Sequence, residues 1–267
     1  MTECFTHEGV NLQYEVTGEG KPLVFLHGLG GSIRQIQGVY DPVPGVRMIT
    51  LDQQGHGNSG VDWESYGFDR LGEDCVALLD RLGVDKAVFA GISMGAAVCL
   101  NIAVRYPARV EKLLLIRNAW LWGPQAEPVR SAYFDLGESL HRGGVEAFRR
   151  TGSYPVIDKT TPYTKNAFSL PFQEEFNRRN WRKYCILPGQ GPVASPEALR
   201  GVSAPTLILA NRNDFCHPFA YGETLASHIP GAMFREIPDK DSDPAGHRAQ
   251  INRAVRDLMG QAGSESR

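Results

Sequence analysis

The sequence predicts an α/β fold in which a mostly parallel central sheet is flanked by helices, with a helical cap inserted before the last two strands. Three observations support this. Short apolar runs rich in β-forming residues alternate with segments of helical periodicity over the first 118 residues. Residues 119–203 then show helical stretches without a strong strand, and the alternation resumes from residue 204. Repeated β–α units imply parallel strands joined by right-handed crossovers.

The first predicted elements are a hairpin followed by β–α units. Cys4–His7 and Leu12–Thr17 are expected to pair across the turn at residues 8–11. Compact apolar runs then predict two strands, and apolar residues at helical spacing predict a helix. In chain order the predicted elements are strands Pro22–Leu26 and Met48–Leu51, helix Phe68–Leu82, strand Lys86–Ala90, a helix after Ser93, and strand Lys112–Ile116.

The middle of the chain breaks this pattern. Residues 119–203 are rich in Trp, Phe, Tyr, Pro and Arg, and we interpret them as a cap covering one end of the sheet. The core is then formed by residues 1–118 and 204–260, and the polar residues 261–267 are expected to be a flexible tail. The last predicted elements are strand Pro205–Ala210, helix Tyr221–His228, strand Met233–Ile237 and helix Gly246–Met259.

The composition fits one large α/β domain with an insertion. The 267 residues are 42% hydrophobic, which is enough for a substantial core. With 28 basic and 30 acidic residues the net charge is -2, so electrostatics favour neither nucleic acid nor an anionic membrane surface as a partner. The opening residues lack the basic and apolar pattern of a signal peptide, and the sequence has no apolar run of about 20 residues, so we expect neither a cleaved leader nor a membrane span. We therefore expect a cytoplasmic monomer or homodimer that acts on a small molecule.

A serine lies between two glycines at a predicted strand-to-helix turn. Gly91-Ile92-Ser93-Met94-Gly95 fits the pattern G-x-S-x-G, in which a strained turn exposes the serine oxygen at the carboxyl edge of the sheet. A side chain at either glycine would collide with backbone where the strand meets the helix. The pattern indicates a nucleophile, although Gly and Ser also occur together in ordinary turns.

A serine hydroxyl becomes a useful nucleophile only when a base takes its proton, and that base needs an orienting acid. Among the seven histidines, His247 lies just after the last predicted strand, where a loop can carry it over the end of the sheet. Asp214 follows the predicted strand Pro205–Ala210. The chain order Ser93, Asp214, His247 agrees with the order expected for a nucleophile on such a turn.

Several spaced motifs resemble the α/β-hydrolase family over nearly the full chain. The stretches "VFLHGLGGS", "LDQQGHGNSG", "GISMG", "PTLILANRNDFCHP" and the final "GH" occur in the family's order. Within the family the chain is most similar to small esterases and 3-oxoadipate enol-lactonases, whose serine turns also carry Ser-Met-Gly. The resemblance implies the α/β-hydrolase fold and a reaction that needs no cofactor. It also implies Ser93 as nucleophile, His247 as base, Asp214 as orienting acid, and an oxyanion hole built from the backbone N–H groups of Leu29 and Met94.

Polar residues surround the predicted acid and base, and the loop before His247 departs from the short, Gly-rich loop that is frequent in the family. Asp239, Asp241 and Asp243 precede His247, where they could contact the histidine, compete with Asp214 or form a solvated loop, and we favour the solvated loop. Cys216 and His217 follow Asp214 closely and are interpreted as loop residues. If Asp214 is not the acid, His217 is expected to line the pocket.

The cap offers candidates for substrate contact. Trp120 and Trp122 open it and fit either core packing or the mouth of the pocket. Arg178 and Arg182 belong to a basic, aromatic cluster that is either a solvated helix face or a site for a substrate carboxylate. Five widely spaced cysteines without a CxxC pair indicate no disulfide framework and no zinc site. The sequence also shows no metal-ligand cluster, no Walker A motif and no Rossmann fingerprint, so neither a metal nor a cofactor is expected.

These features together predict a serine hydrolase that cleaves a carboxylic ester or lactone through an acyl-enzyme on Ser93, with no nucleic-acid or membrane partner. One alternative on the same fold is hydrolysis of a carbon–carbon bond in a dienoate ketoacid of aromatic catabolism. Another is a ligand receptor that keeps the triad, and a third is perhydrolase-like oxidant chemistry. Steady multiple turnover without a partner protein would exclude the receptor.

Overall fold

The computed structural model describes residues 2–260, and in this range the strands form one eight-stranded sheet. The order of strands across the sheet is β1-β2-β4-β3-β5-β6-β7-β8. In chain order the strands are β1 (Thr2–His7), β2 (Val10–Thr17), β3 (Lys21–Leu26), β4 (Val46–Leu51), β5 (Ala87–Ile92), β6 (Val110–Ile116), β7 (Thr206–Ala210) and β8 (Met233–Glu236).

The sheet is parallel except at one end. β1 and β2 form an antiparallel hairpin, and β2 pairs antiparallel with β4. All the other neighbours are parallel. The chain runs from β3 outward to β4 and then returns to place β5 on the other side of β3, so the strand order reverses there. In open α/β sheets, ligands bind beyond the carboxyl ends of the strands at such a reversal.

Helices cover both faces of the sheet and fill the segment between β6 and β7. The helices are α1 (Ile33–Val39), α2 (Phe68–Arg81), α3 (Met94–Arg105), α4 (Val129–His141), α5 (Gly144–Phe148), α6 (Tyr154–Ile157), α7 (Pro162–Ser169), α8 (Glu175–Arg179), α9 (Arg182–Ile186), α10 (Phe219–His228) and α11 (Pro244–Met259). Four 3₁₀ turns lie at Pro107–Arg109, Leu170–Phe172, Leu187–Gly189 and Pro196–Gly201.

Two apolar cores lie on opposite faces of the sheet. Because strand side chains alternate between faces, Val24 and Leu26 of β3 pack with α2, α3 and α10, whereas Leu23 and Phe25 pack with α1 and α11. The continuous apolar character of the parallel strands follows from this burial on both sides. The predicted α/β-hydrolase fold class, with a mostly parallel sheet flanked by helices, is confirmed.

Helix α1 lies in a segment for which no element was predicted, and α11 begins two residues before its predicted start.

The segment between β6 and β7 contains helices α4 to α9 and no strand. Its side chains form an apolar cluster of their own, which includes Leu136, Phe168 and Tyr184. Lys183 is fully buried, and its Nζ donates to the carbonyl oxygen of Gly55 over 2.8 Å, which ties this segment to the loop after β4. The core and cap limits at residues 118 and 204 stay predictions, and the predicted tail at 261–267 lies outside the described residues.

None of the helices in residues 2–260 combines the length and the apolar character needed to cross a membrane.

Candidate active site

Ser93 occupies a sharp turn between β5 and α3. Its φ of 56° places it in the left-handed region, which non-glycine residues seldom adopt and which is often found at functional sites. A Cβ on Gly95 would overlap the carbonyl oxygen of Leu26 in β3, and a Cβ on Gly91 would overlap the backbone of Gly95. Only glycine fits at these two positions, so the helix can start directly against the sheet and present the serine hydroxyl at its edge.

His217 connects Ser93 to Asp214. Its Nε2 lies 2.8 Å from Ser93 Oγ, and its Nδ1 lies 2.8 Å from Asp214 Oδ1. An ionised carboxylate only accepts hydrogen bonds, so Nδ1 carries the proton and donates it to Asp214. The lone pair of Nε2 then faces the serine hydroxyl. This tautomer is the one that can take the proton of Ser93.

The acid of this chain of hydrogen bonds is itself held by a buried arginine. Arg117 follows β6 directly, with a φ of 52°, and its side chain is only 2% exposed. Its Nε and Nη2 donate to Asp214 Oδ2 over 2.8 and 2.5 Å. The same Nη2 lies 3.1 Å from His217 Nδ1. Because a guanidinium only donates and the Nδ1 proton points to Asp214, that approach brings positive charge to the ring without a hydrogen bond.

The electrostatics follow from these contacts. Burial opposes ionisation of Asp214, but attraction by His217 and Arg117 and their hydrogen bonds keep its pKa below the usual range. Burial lowers the pKa of His217, and although Asp214 partly offsets this, the positive charge of Arg117 adds to the lowering. Asp214 is therefore ionised and His217 neutral at pH 7, which are the states that a base and its orienting acid require.

The structure corrects the prediction that His247 contacts the serine. The Asp243 side chain accepts a hydrogen bond from the Gly246 amide over 2.8 Å and so starts α11 before His247, which lies inside the helix. His247 Nδ1 lies 2.8 Å from the carbonyl oxygen of Pro238. Its Nε2 is buried and has no hydrogen-bond partner among residues 2–260. Burial lowers the pKa of His247 to about 4. His217 occupies the place predicted for His247.

The three aspartates ahead of His247 organise their own loop. Asp239 Oδ1 accepts hydrogen bonds from the amides of Asp241 and Ser242, and Asp241 Oδ1 accepts one from the amide of Tyr163 over 2.7 Å. Asp243 caps α11. The structure shows no hydrogen bond from these carboxylates to the His247 ring within the described residues, and Asp241 and Asp243 are exposed. These contacts join the loop before α11 to the first turn of α7.

The loop after β3 lies against Ser93 with one amide directed to no protein acceptor. The Gly28 amide donates to Gln35 Oε1 over 2.7 Å, and the Gly30 amide donates to His56 Nε2 over 3.1 Å. For the amide of Leu29, between them, the structure shows no acceptor in residues 2–260. The Leu29 N–H shares its peptide group with the Gly28 carbonyl oxygen, which accepts a hydrogen bond from the Gly31 amide over 2.9 Å and lies 2.9 Å from His27 Nδ1, so the orientation of the N–H is fixed.

Met94 is the first residue of α3, and its N–H therefore has no carbonyl partner inside the helix. It directly follows Ser93 at the positive end of the helix dipole. A Cβ on Gly28 would lie 3.3 Å from Ser93 Cβ, so the loop that carries Leu29 reaches the serine. The oxyanion hole expected from Leu29 and Met94 stays a prediction.

A cavity of about 370 Å³ opens beside Ser93. The core contributes the turn after β3 and the residues around the Ser93–His217–Asp214 chain. The segment between β6 and β7 contributes aromatic and polar side chains from α4 and α7. Among its lining residues are Leu29, Ser93, Arg117, Tyr133, Tyr163 and His217.

None of the four substrate-contact candidates lines this cavity. Trp120 is buried, with its ring packed edge-on against Phe68 at 5.3 Å between centroids. Trp122 packs against His228 at 5.2 Å. Of the two interpretations offered for the tryptophans, core packing agrees with these contacts.

The two arginine candidates also lie away from the cavity. Arg178 is exposed, and its Nη1 donates to the carbonyl oxygen of Phe172 over 2.6 Å. Arg182 is exposed beside the Trp181 ring. The solvated helix face is therefore the interpretation that agrees with their exposure, and the prediction that one of them reaches the substrate is corrected.

Sequence reasoning missed the site residues Arg117, His217, Tyr133 and Tyr163. Two of them carried a usable signal. Arg117 is a charged residue placed directly after a buried apolar strand, where the carboxyl ends of parallel strands meet, and His217 lies three residues after Asp214 at the same edge. The two tyrosines carried none, because an irregular helical segment shows no period that indicates which side chains turn inward.

Within residues 2–260, no group of three or more His, Cys, Asp or Glu side chains is arranged to hold a metal ion.

Comparison with known proteins agrees with this geometry. A sequence model described as alpha/beta hydrolase fold matches residues 21–139. The AB hydrolase superfamily protein YisY of Bacillus subtilis is 31% identical over 239 residues, which cover 84% of this chain and 85% of that protein. The 3-oxoadipate enol-lactonase 2 of Acinetobacter baylyi is 32% identical over 273 aligned positions, covering 96% of each chain.

A solved structure shows the same fold. The crystal structure of MGS-M2, an alpha/beta hydrolase enzyme from a deep-sea metagenome library, matches with a TM-score of 0.79 at 18% identity and covers 99% of this chain and 100% of that one. At this identity the likeness supports the fold alone. With the sequence relatives and the serine turn, it shows that this chain belongs to the α/β-hydrolase family.

Proposed function

We propose that this chain is a serine hydrolase that cleaves a carboxylic ester or lactone of a small molecule through an acyl-enzyme on Ser93. The observation that carries the proposal is the continuous chain of hydrogen bonds from Ser93 through His217 to Asp214 at the wall of a cavity. The likeness to a 3-oxoadipate enol-lactonase supports an ester or lactone carbonyl as the reacting group.

In the first half of the reaction, Ser93 Oγ attacks the carbonyl carbon while its proton passes to His217 Nε2. The resulting imidazolium keeps its hydrogen bond to Asp214, whose negative charge stabilises it. His217 then returns the proton to the leaving alkoxide oxygen. In a lactone this oxygen stays attached to the acyl group, so the ring opens and a hydroxyl forms.

The carbonyl oxygen becomes an oxyanion during the attack. The N–H groups of Leu29 and Met94 are the donors we assign to it, because both belong to backbone held rigidly next to Ser93. Donors fixed in advance stabilise developing charge without reorganising, and the loss of one typically lowers the rate by about 10²–10³-fold. The start of α3 adds the positive end of its dipole at the same point.

In the second half, water replaces the alcohol. His217 takes a proton from the water as the hydroxide attacks the acyl-enzyme. As the second tetrahedral intermediate collapses, His217 returns that proton to Ser93 Oγ and the carboxylic acid is freed. Arg117 does not act on the substrate in this scheme. Its two hydrogen bonds keep one oxygen of Asp214 occupied, so the other oxygen stays directed to the His217 ring.

The cavity volume supports a small substrate. At about 370 Å³ it lies near the lower end of ligand pockets, which run from roughly 300 to 1,000 Å³. Aromatic rings from the helical segment and polar groups from the core share its wall, which suits a compact ester or lactone better than a long lipid chain.

The experiment that tests the proposal is steady-state hydrolysis of p-nitrophenyl acetate and butyrate by the purified protein, compared with Ser93→Ala. The matched control is Ser227→Ala, which removes an exposed hydroxyl from α10. We expect turnover in the wild type and the control and its loss in Ser93→Ala, together with an acyl adduct on Ser93 in intact-mass spectra. Turnover that persists in Ser93→Ala would overturn the proposal. A folded wild type with no ester or lactone turnover would do the same and would favour carbon–carbon hydrolysis or a receptor.

A further inference from the structure

Tyr163 lies between two cations beside the proposed triad. It belongs to the first turn of α7 and lines the cavity. Its hydroxyl oxygen accepts hydrogen bonds from Lys240 Nζ over 2.9 Å and from Arg117 Nη1 over 3.3 Å. Both cations also approach its ring, with Lys240 Nζ 4.1 Å and Arg117 Cζ 4.9 Å from the centroid. Both contacts on the oxygen are charged donors, the arrangement that favours a negatively charged acceptor.

The charges around Tyr163 are unbalanced while its hydroxyl stays protonated. Arg117 comes from the end of β6 and Lys240 from the loop before α11. The buried carboxylate in this group is Asp214, which pairs with Arg117. Asp241 accepts a hydrogen bond from the Tyr163 amide, but it is exposed, so solvent screens its charge.

Two histidines complete the surroundings, and neither adds negative charge. Burial lowers the pKa of both His217 and His247, so both rings are neutral at pH 7. Lys240 is half-buried, and burial lowers the pKa of its ammonium, although attraction by Tyr163 partly offsets this. While Lys240 keeps its proton, the group holds two cations and one buried carboxylate. A second negative charge on the Tyr163 oxygen would balance it.

We propose that Tyr163 ionises ahead of the other tyrosines and that its phenolate offsets the positive charge of Arg117 and Lys240 next to His217. The proton leaves to solvent, and both hydrogen bonds to the oxygen remain. Tyr163 is then a positioning residue, because it acts on the reaction through the charge around His217. The ionisation itself is independent of any activity, whereas its effect on His217 rests on the proposed function.

The direction of the pKa shift agrees with the geometry. Burial raises the pKa of the Tyr163 hydroxyl, but attraction by Arg117 and then by Lys240 outweighs burial, and the pKa lies below its ordinary value. Burial raises the pKa of several other tyrosines, among them Tyr66, Tyr133 and Tyr184. The Tyr163 signal is therefore expected to separate from theirs in a titration.

The first test follows tyrosinate absorbance near 295 nm during a pH titration of the folded wild type, Tyr163→Phe and Tyr221→Phe. Tyr221 is the matched control, because it is half-buried on α10 and burial raises its pKa. We expect the wild type and the control to gain about one tyrosinate at a pH below the ordinary tyrosine pKa of about 10, and Tyr163→Phe to lack this step. Lys240→Met should move the step to higher pH. The proposal would be overturned if the wild type showed no such step or if the step persisted in Tyr163→Phe. It would also be overturned if Lys240 lost its proton while the Tyr163 hydroxyl kept its own.

The second test links the ionisation to the reaction. The kcat/KM for p-nitrophenyl acetate is measured against pH, with the buffer-only rate subtracted. We expect a second rise in the wild type, on the order of three- to tenfold, at the pH of the tyrosinate step, because the phenolate stabilises the imidazolium of His217 in the transition state. Tyr163→Phe should lose this rise while keeping the first limb. An active wild type without the second rise would overturn the effect on His217.

The two proposals fail separately. An early tyrosinate in a protein that never turns over esters would leave the ionisation of Tyr163 intact and overturn the hydrolase. Ester turnover that depends on Ser93, without an early tyrosinate, would overturn only the Tyr163 proposal. Circular dichroism of each variant across the pH range shows that the absorbance belongs to folded protein.

Discussion

The choice between two buried histidines can be tested with one pair of substitutions. In His217→Asn, the side-chain amide can still donate to Asp214 as Nδ1 does, but nothing replaces the Nε2 that lies 2.8 Å from Ser93 Oγ. In His247→Asn, the amide can still donate to the Pro238 carbonyl oxygen, and the lost Nε2 has no hydrogen-bond partner among residues 2–260. Each substitution removes the same atom from a similar buried setting, so each is the control for the other.

The expected losses of kcat/KM in the two variants differ by orders of magnitude. Positioned general bases contribute about 10²–10⁴-fold, and the members of a serine triad act as a unit, so His217→Asn should lower kcat/KM by roughly 10³–10⁵-fold. That loss corresponds to about 4–7 kcal/mol of transition-state stabilisation. His247→Asn removes no hydrogen bond shown in the structure, and we expect a change of less than about tenfold, which is less than about 1.4 kcal/mol.

The assay is kcat/KM for p-nitrophenyl acetate at pH 8, with the rate of Ser93 labelling by a fluorophosphonate as a second readout. Thermal midpoints show that both variants fold. The reasoning is refuted if His217→Asn keeps more than a tenth of wild-type activity while His247→Asn loses a thousandfold or more. In that outcome His247 is the base, and the hydrogen bond between His217 and Ser93 has no role in the chemistry.

Three other predictions concern the same elements. Arg117→Met leaves one oxygen of the buried Asp214 without its partner, and breaking a buried ion pair typically destabilises a protein by about 3–5 kcal/mol. We therefore expect a lower thermal midpoint and at least tenfold lower kcat/KM. Unchanged values in both measurements would contradict this. The reaction needs neutral His217, and burial lowers the pKa of its ring. The acid limb of kcat/KM should therefore lie below pH 6.5, the ordinary pKa of imidazole. An acid limb above pH 7 would show that the His217 ring is not buried beside Arg117. Gly95→Ala places a methyl group against a backbone carbonyl of β3 and should lower the thermal midpoint by roughly 6–12 °C, whereas Gly123→Ala, with open space around it, should change the midpoint little.

Much of the fold could be predicted because its signals are local. β3, β5, β6 and β7 are apolar runs buried on both faces, and such strands are recognisable from composition alone. Helix α2 shows a period of 3.6 residues, since one of its faces packs on the sheet. Helix α1 is short, with no side-chain hydrogen bond at its N-cap Ser32, which leaves little local signal.

The site was only partly predictable. Ser93 was found because its turn requires glycine on both sides, and Asp214 because it lies four residues after the end of a buried strand. The histidine was misassigned because His217 and His247 each follow one of the last two strands, and nothing local in the sequence shows which of them reaches Ser93. The decisive feature is the start of α11 at Asp243, which draws His247 into a helix and directs its Nδ1 to Pro238.

The sequence by itself determined the alternation of strands and helices, the tight turn at Ser93, and the family to which the chain belongs, since all of these depend on neighbouring residues. Only the tertiary structure decided that His217 contacts Ser93, that Arg117 holds Asp214, and that Tyr163 sits between two cations. These contacts join loops from β5, β6 and β7 to α7 and to the loop before α11. Their geometry depends on the order of strands in the sheet and on how the helical segment packs over its edge, which no local pattern in the chain encodes.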